Sequence, residues 1–471
     1  MKIIINGKYH GKDEKIDVIN PYNQEIVDNV PKCDKSDVKE AIGSGKNSQK
    51  ILNEWSAYKV SNGLYSAYED LKKEKKKIAK IITKETGKPI KDSLMEMERS
   101  VETLKLSAEE SKRIYGEVIP LDAGLGGKGF FAFTQKLSLG VVVGITPFNY
   151  PVNLAIHKIA PAIAAKNSTI LKPSIKAPIS PLRLCEIIDS YFPDGVINTI
   201  TGYGSELSDE LVLNPNVDKI TFTGSVPVGV MIKNKAGMKK ISLELGGNDP
   251  LIVLKDANIE KAVKGATLGS YLYSGQVCMG VKRIIVENEI ADEFLDLFIK
   301  ETKKLKIGDP MNMETDIGPL INEKAAEAVE KSVDKAVENG AVVIHGGKRK
   351  GNFFQPTILD NLSENMDIIA NETFGPVSPI IRVDGIDEAI KIANSSDYGL
   401  QAGVFTENIN NALKCANEIE AGTVFVNKQS TFRTDNMPFG GFKLSGIGKE
   451  GVKYAVEDMV KTKLIGLNLR G

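Results

Sequence analysis

Cysteine is scarce in this 471-residue sequence, and its scarcity restricts the chemistry available to the protein. The four cysteines have neither the paired spacing of a metal site nor the pattern of a disulfide framework. We therefore predict no metal site and a reducing, cytoplasmic environment for the chain. The four residues are Cys33, Cys185, Cys278 and Cys415.

Histidine is rarer still, with only His10, His157 and His345 in the whole chain. A nucleophilic serine or cysteine that relied on an imidazole base would need one of these three in the right place. The scarcity of histidine therefore favours a carboxylate as the base.

The sequence also lacks an excess of either charge, with 61 Lys and Arg residues against 61 Asp and Glu residues. A balanced charge argues against a general nucleic-acid-binding protein. No apolar run approaches the roughly 18–20 residues of a membrane span. The composition, 42% hydrophobic and 26% charged, is that of a globular enzyme with two or three domains and no nucleic-acid or membrane partner.

Strand and helix signals alternate along most of the chain. Residues 35–115 have helical periodicity, which stops once at Gly87–Pro89. Between residues 139 and 222, and again between 250 and 427, apolar strand segments alternate with helices, which indicates an α/β fold with parallel sheets. Residues 116–138 lose this periodicity and read as a hairpin arm. The later predicted strands are Leu251–Leu254, Arg283–Glu287, Ala341–His345, Pro379–Val383, Ala402–Thr406, Thr423–Asn427 and Leu464–Leu469.

Cys278 is the candidate nucleophile. It lies in the stretch Tyr273–Gly280, where Ser274 and Gly275 let the backbone pass close to a ligand and leave the sulfur reachable. Glu244, 34 residues upstream, ends an apolar run before two glycines, and we interpret it as the partner base. The alternative for a bare cysteine is a small buried hydrophobic residue.

A dinucleotide site is indicated by the ends of two predicted strands. Gly224 and Ser225 lie where a strand ends and a helix begins, a place where free N–H groups bind pyrophosphate. Their spacing is not the G-x-G-x-x-G pattern, so a tight turn is an equal alternative. Lys172 ends a neighbouring strand and can reach an adenosine ribose or phosphate, which favours a dinucleotide at a switch point.

Two further segments carry groups of possible catalytic use. Asn149 follows a strand between Pro147 and Pro151, and a rigid amide is a good oxyanion donor, worth about 2.7–4 kcal/mol. Alone, a turn asparagine bonded to its own backbone is the commoner interpretation. Glu372 can hold a ribose diol and Phe374 can pack on a nicotinamide, although alone they form only a loop before a strand.

Together these stretches resemble the aldehyde dehydrogenase superfamily in order and spacing, over essentially the whole chain. The resemblance implies an α/β, aldehyde-dehydrogenase-like fold: a parallel-sheet cofactor domain (residues 1–114 and 139–246), a catalytic domain (247–447) and a small bridging β-sheet arm (115–138 and 448–471). Such an arm joins homodimers or homotetramers. The matching segments are Pro147–Pro151, Lys172–Ser174, Phe222–Ser225, Leu243–Gly247, Gly275–Cys278, Glu372–Pro376 and Pro438–Gly446.

The resemblance also implies a mechanism. Cys278 attacks an aldehyde as a thiolate, and Asn149 and the Cys278 N–H hold the oxyanion. Hydride passes to the nicotinamide of NAD or NADP, and Glu244 activates the water that hydrolyses the resulting thioester. This base favours hydrolysis over transfer to coenzyme A. The cofactor residues implied are Pro147, Lys172, Gly224, Ser225, Glu372 and Phe374.

The segment around Arg433 is similar to archaeal lactaldehyde dehydrogenases and to non-phosphorylating glyceraldehyde-3-phosphate dehydrogenases. In such enzymes an arginine at this position lines the substrate mouth, and Arg99 matches a second arginine of the phosphate-binding group. Val277 stands where that group has a further arginine, so we expect a small hydroxyaldehyde, with lactaldehyde first. The alternatives are glyceraldehyde 3-phosphate and, remotely, a catalytically silent relative. The substrate residues implied are Arg99, Tyr150, His157 and Arg433.

Some of these assignments have a plainer alternative. Arg433 can equally form a surface salt bridge, and His157 can be a satisfied core histidine. The cofactor is also open: Ile175 stands where NAD-specific relatives often carry a glutamate, and Lys176 can pair with a 2′-phosphate. The sequence therefore predicts NAD or NADP without choosing between them.

Overall fold

The computed structural model of the chain describes residues 1–469, which form fourteen α-helices and twenty-four β-strands. None of the helices in this range combines the length and the apolarity needed to cross a membrane. The helices are α1 (Lys35–Glu54), α2 (Ala57–Thr86), α3 (Ile90–Glu110), α4 (Pro151–Ala164), α5 (Ile179–Asp189), α6 (Gly204–Leu213), α7 (Val226–Lys235), α8 (Ile259–Tyr271), α9 (Asn288–Thr302), α10 (Glu323–Glu338), α11 (Asp367–Ala370), α12 (Ile386–Asn394), α13 (Ile409–Glu418) and α14 (Val452–Asp458). The strands are β1 (Ile3–Ile5), β2 (Lys8–His10), β3 (Lys15–Ile19), β4 (Ile26–Pro31), β5 (Val118–Ile119), β6 (Phe130–Ser138), β7 (Val141–Ile145), β8 (Ser168–Lys172), β9 (Ile197–Thr199), β10 (Lys219–Thr223), β11 (Lys240–Glu244), β12 (Asp249–Val253), β13 (Val281–Glu287), β14 (Val342–His345), β15 (Arg349–Lys350), β16 (Phe353–Phe354), β17 (Thr357–Asp360), β18 (Val377–Val383), β19 (Tyr398–Gly399), β20 (Gln401–Phe405), β21 (Thr423–Val426), β22 (Phe442–Lys443), β23 (Gly446–Ile447) and β24 (Val460–Asn468).

The first large sheet has six strands in the order β23-β11-β10-β7-β8-β9. Strands β11 to β9 are parallel, and β23 pairs antiparallel with β11 at one edge. Side chains along β7 alternate between two cores, with Val141 and Val143 in one and Val142 in the other. Both faces of the sheet are therefore buried, as the continuous apolar run of β7 predicts.

The second large sheet has seven strands in the order β14-β17-β18-β13-β12-β20-β21. Leu251 and Val253 pack on one face and Ile252 on the other, so this sheet is also buried on both sides. Its edge differs from the sequence-based expectation, because β14 runs antiparallel to β17, a strand that was not predicted. The four residues of β17 are too short a run to show a period. The predicted α/β fold is confirmed.

The third sheet is a three-stranded antiparallel arm in the order β24-β6-β5. Strand β24 pairs with β6 from Val460, opposite Ser138, to Asn468, opposite Phe130. It begins before the predicted strand start at Leu464, because lysines interrupt the apolar pattern in its first half. The pairing with β6, a long-range contact, sets the true strand length.

The predicted helical region 35–115 is divided into α1, α2 and α3. Helix α2 ends at Thr86 and is capped by Gly87, which has a left-handed φ of 71° and whose N–H bonds to the Thr83 carbonyl at 2.9 Å. Pro89 then directly precedes α3. Between these two residues lies Lys88, whose side chain is completely buried.

Candidate active site

One wall of the candidate site is the carboxyl edge of the first sheet. The register places Ile145, at the end of β7, opposite Lys172 on one side and Phe222 on the other. Thr223, at the end of β10, lies opposite Glu244, at the end of β11. Because parallel strands end at the same edge, the loops that follow them converge there.

The opposite wall comes from the amino ends of strands in the second sheet. Cys278 lies just before β13, and the segment from Glu372 to Phe374 lies just before β18. A cavity of about 280 Å³ separates the two walls, and the half-buried Cys278 thiol reaches it. Its lining residues are Pro147, Phe148, Asn149, Thr223, Gly224, Ser225, Leu245, Gly246, Cys278, Glu372 and Phe374.

The loop that carries Cys278 is held in an unusual backbone conformation. Tyr273, Ser274 and Gly275 have left-handed φ values of 47°, 53° and 71°. For the two non-glycine residues this costs about 1–3 kcal/mol each. The Ser274 hydroxyl bonds to the Gly318 carbonyl at 2.8 Å, which helps to fix the turn. A Cβ on Gly275 would lie 2.0 Å from the Gly375 carbonyl oxygen, so only glycine lets the two loops approach this closely.

Asn149 is buried and its amide is fixed at both ends. The side-chain nitrogen donates to the Gln276 carbonyl at 3.0 Å, and the side-chain oxygen accepts from the Tyr150 N–H at 3.1 Å. The amide therefore bonds both its neighbouring backbone and the Cys278 loop. Since Nδ2 carries two hydrogens, one is left to donate elsewhere.

Ionisation of the Cys278 thiol is strongly disfavoured in this structure. Burial raises its pKa to about 12, and the carboxyl groups of Glu372, Asp249 and Glu244 add to the effect. Arg433 acts in the opposite direction. The thiol is therefore protonated at neutral pH, and its proton must be removed as it attacks.

Glu244 is a buried carboxyl group with a free oxygen. Within residues 1–469 its Oε2 has no hydrogen-bond partner. Burial raises the pKa of Glu244 well above its ordinary value, and the nearby Glu450 raises it further. Burial would also raise the pKa of Glu450, but Lys158 and Arg433 lower it to about 2. The pKa values of these two neighbouring carboxyl groups are thus moved in opposite directions, that of Glu450 downwards and that of Glu244 upwards.

The cofactor side of the cavity has the groups that a dinucleotide requires. Ser225 precedes α7 and makes no side-chain cap bond, so the first-turn N–H groups of that helix are available to a phosphate. Glu372 Oε1 is buried without a partner in the described part of the chain, as expected for a group that accepts from ribose hydroxyls. Burial raises the pKa of Glu372 to about 7, against the effect of Lys282. The donor and acceptor groups therefore fit a nicotinamide dinucleotide.

Lys172 and Lys176 are the two lysines that the sequence predicts for the cofactor side. Lys172 is buried, donates to the Pro173 carbonyl at 3.4 Å and has its pKa lowered to about 8 by burial. Lys176 is exposed and lies 5.2 Å from the centre of the Phe148 ring. Lys176 therefore lies beside Phe148, which lines the cavity, whereas contact of Lys172 with the adenosine side of a cofactor stays a prediction.

Three of the four predicted substrate residues, Arg99, His157 and Arg433, take part in a largely buried network of ion pairs. The Arg433 side chain is 4% exposed, donates to Glu450 at 3.0 Å and stacks on the Phe439 ring at 3.8 Å. Arg99 donates to Asp435 through two nitrogens, at 2.7 and 3.3 Å. The salt bridge of Arg433 is therefore buried, whereas the alternative interpretation placed it at the surface.

His157 and Tyr150 complete this end of the site. His157 is buried and bonds to Asp435 at 2.8 Å, and burial together with Arg433 lowers its pKa against the effect of Asp435. Its Nδ1 is buried without a hydrogen-bond partner among residues 1–469, so only one ring nitrogen is satisfied. Tyr150 is half-buried and packs edge-on against Tyr273, with ring centres 6.5 Å apart.

Sequence reasoning missed four charged residues that the structure brings to the site. Asp435 and Glu450 bind the two predicted arginines, Lys158 binds Glu450 at 3.1 Å, and Lys282 bonds the Gly275 carbonyl in the Cys278 loop. Lys158 and Glu450 are 292 residues apart in sequence, so no local pattern pairs them. The one available signal was the apolar setting of Lys158 in α4, where an unpaired lysine would be costly.

Comparison with known proteins agrees with this geometry. A profile of the aldehyde dehydrogenase family matches residues 9–465. Lactaldehyde dehydrogenase from Methanococcus aeolicus is 46% identical, over 99% of this chain and 100% of that protein. 3-Sulfolactaldehyde dehydrogenase from Priestia aryabhattai is 45% identical, over 99% of this chain and 98% of that protein. The crystal structure of glyceraldehyde-3-phosphate dehydrogenase GapN from Methanocaldococcus jannaschii, complexed with NADP, superposes with a TM-score of 0.93 at 44% identity, covering 97% of this chain and 100% of that one.

Proposed function

Because the chain belongs to the aldehyde dehydrogenase family, we propose that it oxidises a small polar aldehyde, lactaldehyde first, to the free carboxylic acid with NAD or NADP. The observation that carries the proposal is the meeting of Cys278, Asn149 and Glu372 on one cavity. Free cysteines support a reducing, cytoplasmic location. We also propose the division of the chain into a cofactor domain (1–114 and 139–246), a catalytic domain (247–447) and an arm (115–138 and 448–471).

The first step is attack of the Cys278 sulfur on the aldehyde carbon. A carbon–sulfur bond forms, the carbonyl oxygen becomes an oxyanion, and the thiol proton leaves to water or to the ionised fraction of Glu244. The remaining Asn149 N–H donates to the oxyanion. A fixed donor of this kind stabilises developing charge without reorganising during the reaction.

The second step converts this adduct into a thioester. A bound nicotinamide cofactor supplies the oxidising equivalent by accepting a hydride. Glu372 would hold its ribose, and the first turn of α7 after Ser225 would hold its phosphates. Phe374 would pack against the ring, and Lys172 would lie near the adenosine side.

Hydrolysis of the thioester completes the reaction. Glu244, once ionised, accepts a proton from a water molecule through its free Oε2, and the water oxygen bonds to the thioester carbon. The carbon–sulfur bond breaks and Cys278 recovers its proton. The presence of a carboxyl base favours water over coenzyme A as the acceptor.

The ion pairs at the substrate end support a neutral hydroxyaldehyde over a phosphorylated one. Asp435 occupies the Nε and Nη2 edge of Arg99, which is the edge that grips a phosphate in two places. Glu450 binds Arg433, and Val277 provides no third guanidinium. Glyceraldehyde 3-phosphate stays the second candidate, because of the similarity to the GapN structure.

This choice predicts the behaviour of wild-type enzyme and of Arg433→Ala. We expect kcat/KM for lactaldehyde to exceed that for glyceraldehyde 3-phosphate. Arg433→Ala should lower both values by a similar factor, about tenfold, or ~1.4 kcal/mol, because it disturbs Glu450 rather than a phosphate contact. Reduced-cofactor absorbance, with NAD and NADP in parallel, measures all of these rates.

The matched control is Arg382→Ala, which removes an arginine paired with Asp292 and Asp360 on the second sheet. It should leave both rates near wild type. A loss confined to glyceraldehyde 3-phosphate in Arg433→Ala would favour the second candidate. No oxidation of any aldehyde, with a Cys278 inert to iodoacetamide, would favour the catalytically silent relative.

We also propose that the arm joins subunits into a homodimer or homotetramer. Strand β24 forms an edge of its sheet, and edges pair readily with other chains. Val118, Phe131 and Leu464 are 68%, 44% and 52% exposed on this arm. Sedimentation at micromolar concentration should give a multiple of the 51.2 kDa chain, and Leu464→Lys should shift the mass towards monomer. A monomeric wild type would contradict the proposal.

A further inference from the structure

The ammonium group of Lys88 is buried between two tyrosine rings that belong to the catalytic loops. Its Nζ lies 3.7 Å from the centre of the Tyr150 ring and 4.8 Å from that of Tyr273. The Lys88 side chain is 0% exposed, and so is that of its ion-pair partner Glu96 at 2.5 Å. Tyr150 follows the oxyanion donor Asn149, and Tyr273 begins the Cys278 loop.

Glu96 extends this contact to the segment after Asn149. Its Oε2 binds Lys88, and its Oε1 accepts from the backbone N–H groups of Val152 at 2.9 Å and Asn153 at 3.1 Å. These N–H groups lie in the first turn of α4, which begins at Pro151. A carboxylate at a helix start satisfies otherwise unpaired donors and is favoured by the helix dipole. Glu96 thus fixes where α4 starts.

The chain around Lys88 extends the contact to the Cys278 loop as well. The Tyr273 hydroxyl donates to the Thr86 carbonyl at 2.9 Å, and the Lys88 N–H donates to the Thr86 hydroxyl at 3.2 Å. Tyr273 has a left-handed φ, which persists only where its surroundings hold it. The turn between α2 and α3 therefore supports the strained start of the Cys278 loop.

A buried ion pair is poor evidence for stability alone, since apolar replacements of similar volume are often as stable. The Lys88–Glu96 pair lies behind the point where the two catalytic loops meet through the bond from Asn149 to the Gln276 carbonyl. A cation also attracts both ring faces in this dry setting. The pair is thus suited to fixing one loop against the other.

We propose that Lys88 and Glu96 are positioning residues, which set the Asn149 amide at the correct distance from the Cys278 sulfur. The inference rests on the proposed function for its meaning. Oxyanion stabilisation depends steeply on geometry, and a displacement of about 1 Å can change a rate about 10²-fold. Alkylation of the same sulfur by iodoacetamide forms no oxyanion and should not share this dependence.

The test compares two reactions of Cys278 that need neither cofactor nor aldehyde. p-Nitrophenyl acetate transfers its acetyl group to the sulfur through an oxyanion, releasing p-nitrophenolate, and iodoacetamide alkylates the sulfur by direct displacement of iodide. The variant is Lys88→Met with Glu96→Gln, which removes both charges and keeps an acceptor for the α4 N–H groups. We expect acylation to fall 30-fold or more and alkylation to stay within threefold between pH 6 and 10.

The matched control is Lys219→Met, which removes another buried ammonium, bound to Ser242 and Asp458 at the far end of β10 from the cavity. The rates of acylation and alkylation of this variant should both stay near those of wild type. Partial unfolding would expose the Cys278 thiol, lower its raised pKa and speed its alkylation, so a fall in the ratio of acylation to alkylation reports position only where alkylation stays within threefold of wild type. If the double variant does not fold, Glu96→Gln alone should lower the same ratio.

Two results would overturn the inference. One is an unchanged ratio in the charge-free variant. The other is an equal fall of both reactions with a shifted pH profile, which would mean that the pair acts on thiol ionisation. Failure of the proposed function is a separate outcome, seen as a wild type that is acylated normally but oxidises no aldehyde.

Discussion

Cys278→Ser is expected to lower kcat for aldehyde oxidation by about 10⁴–10⁶-fold, the range found when a covalent nucleophile is removed. The hydroxyl of serine ionises far less readily than a thiol, so the serine oxygen of this variant would be a much weaker nucleophile. Cys278 is also the one cysteine of residues 1–469 that is not buried. Initial rates of cofactor reduction at saturating lactaldehyde measure the loss.

Cys415→Ala is the matched control for that variant. Cys415 is buried in the core of the second sheet, so its replacement should lower stability somewhat and leave kcat unchanged. If Cys278→Ser oxidised lactaldehyde at the wild-type rate, the covalent mechanism would be refuted. If Cys415→Ala were equally inactive, the loss would come from folding.

Glu244→Gln is expected to stop turnover after one cycle. Cys278 can still be acylated, but no base takes the proton from water, so the steady-state rate should fall about 10²–10⁴-fold. The result would be a burst of about one reduced cofactor per active site, followed by a slow phase. Rapid-quench mass spectrometry should find the chain heavier by the acyl group. A slow rate without a burst would instead assign Glu244 to the deprotonation of Cys278.

The raised pKa of Glu244 predicts how deacylation and stability depend on pH in the wild type and in Glu244→Gln. The folded protein holds that pKa above its ordinary value, so deacylation by wild type should rise with pH as the base ionises. For the same reason the unfolded chain releases this proton first, and wild type loses stability as pH rises through that interval. Glu244→Gln has no proton to lose there. Thermal unfolding at pH 5 and pH 8 should show a smaller decrease for the variant.

Much of the fold was predictable, because both large sheets are buried on both faces. Strands such as β7 and β12 then read as continuous apolar runs, and the helices between them have their own period. The strand predictions were least accurate at the edges of the sheets. The pairing that defines β14 and lengthens β24 lies in distant segments, not in the strand itself.

The candidate site was predictable to the extent that each residue follows a strand or a glycine-rich turn. Lys172, Ser225 and Glu244 stand at strand ends, and parallel strands bring such ends together. The charges that surround them were not predictable. Asp435 meets His157 across 278 residues, and a sequence pattern gives no sign of which acid a given base will bind.

The antiparallel arm has a consequence for synthesis. Lys461 bonds to the Leu139 carbonyl, 322 residues earlier, and β24 supplies the partner that β6 needs along its length. Translation at about 5–20 residues per second leaves β6 without that partner for roughly 16–64 s. The first sheet likewise waits for β23 at its edge beside Glu244. The nascent chain must therefore keep β6 from pairing wrongly until β24 emerges, and Glu244, the proposed base, acquires its neighbour Glu450 only late in synthesis.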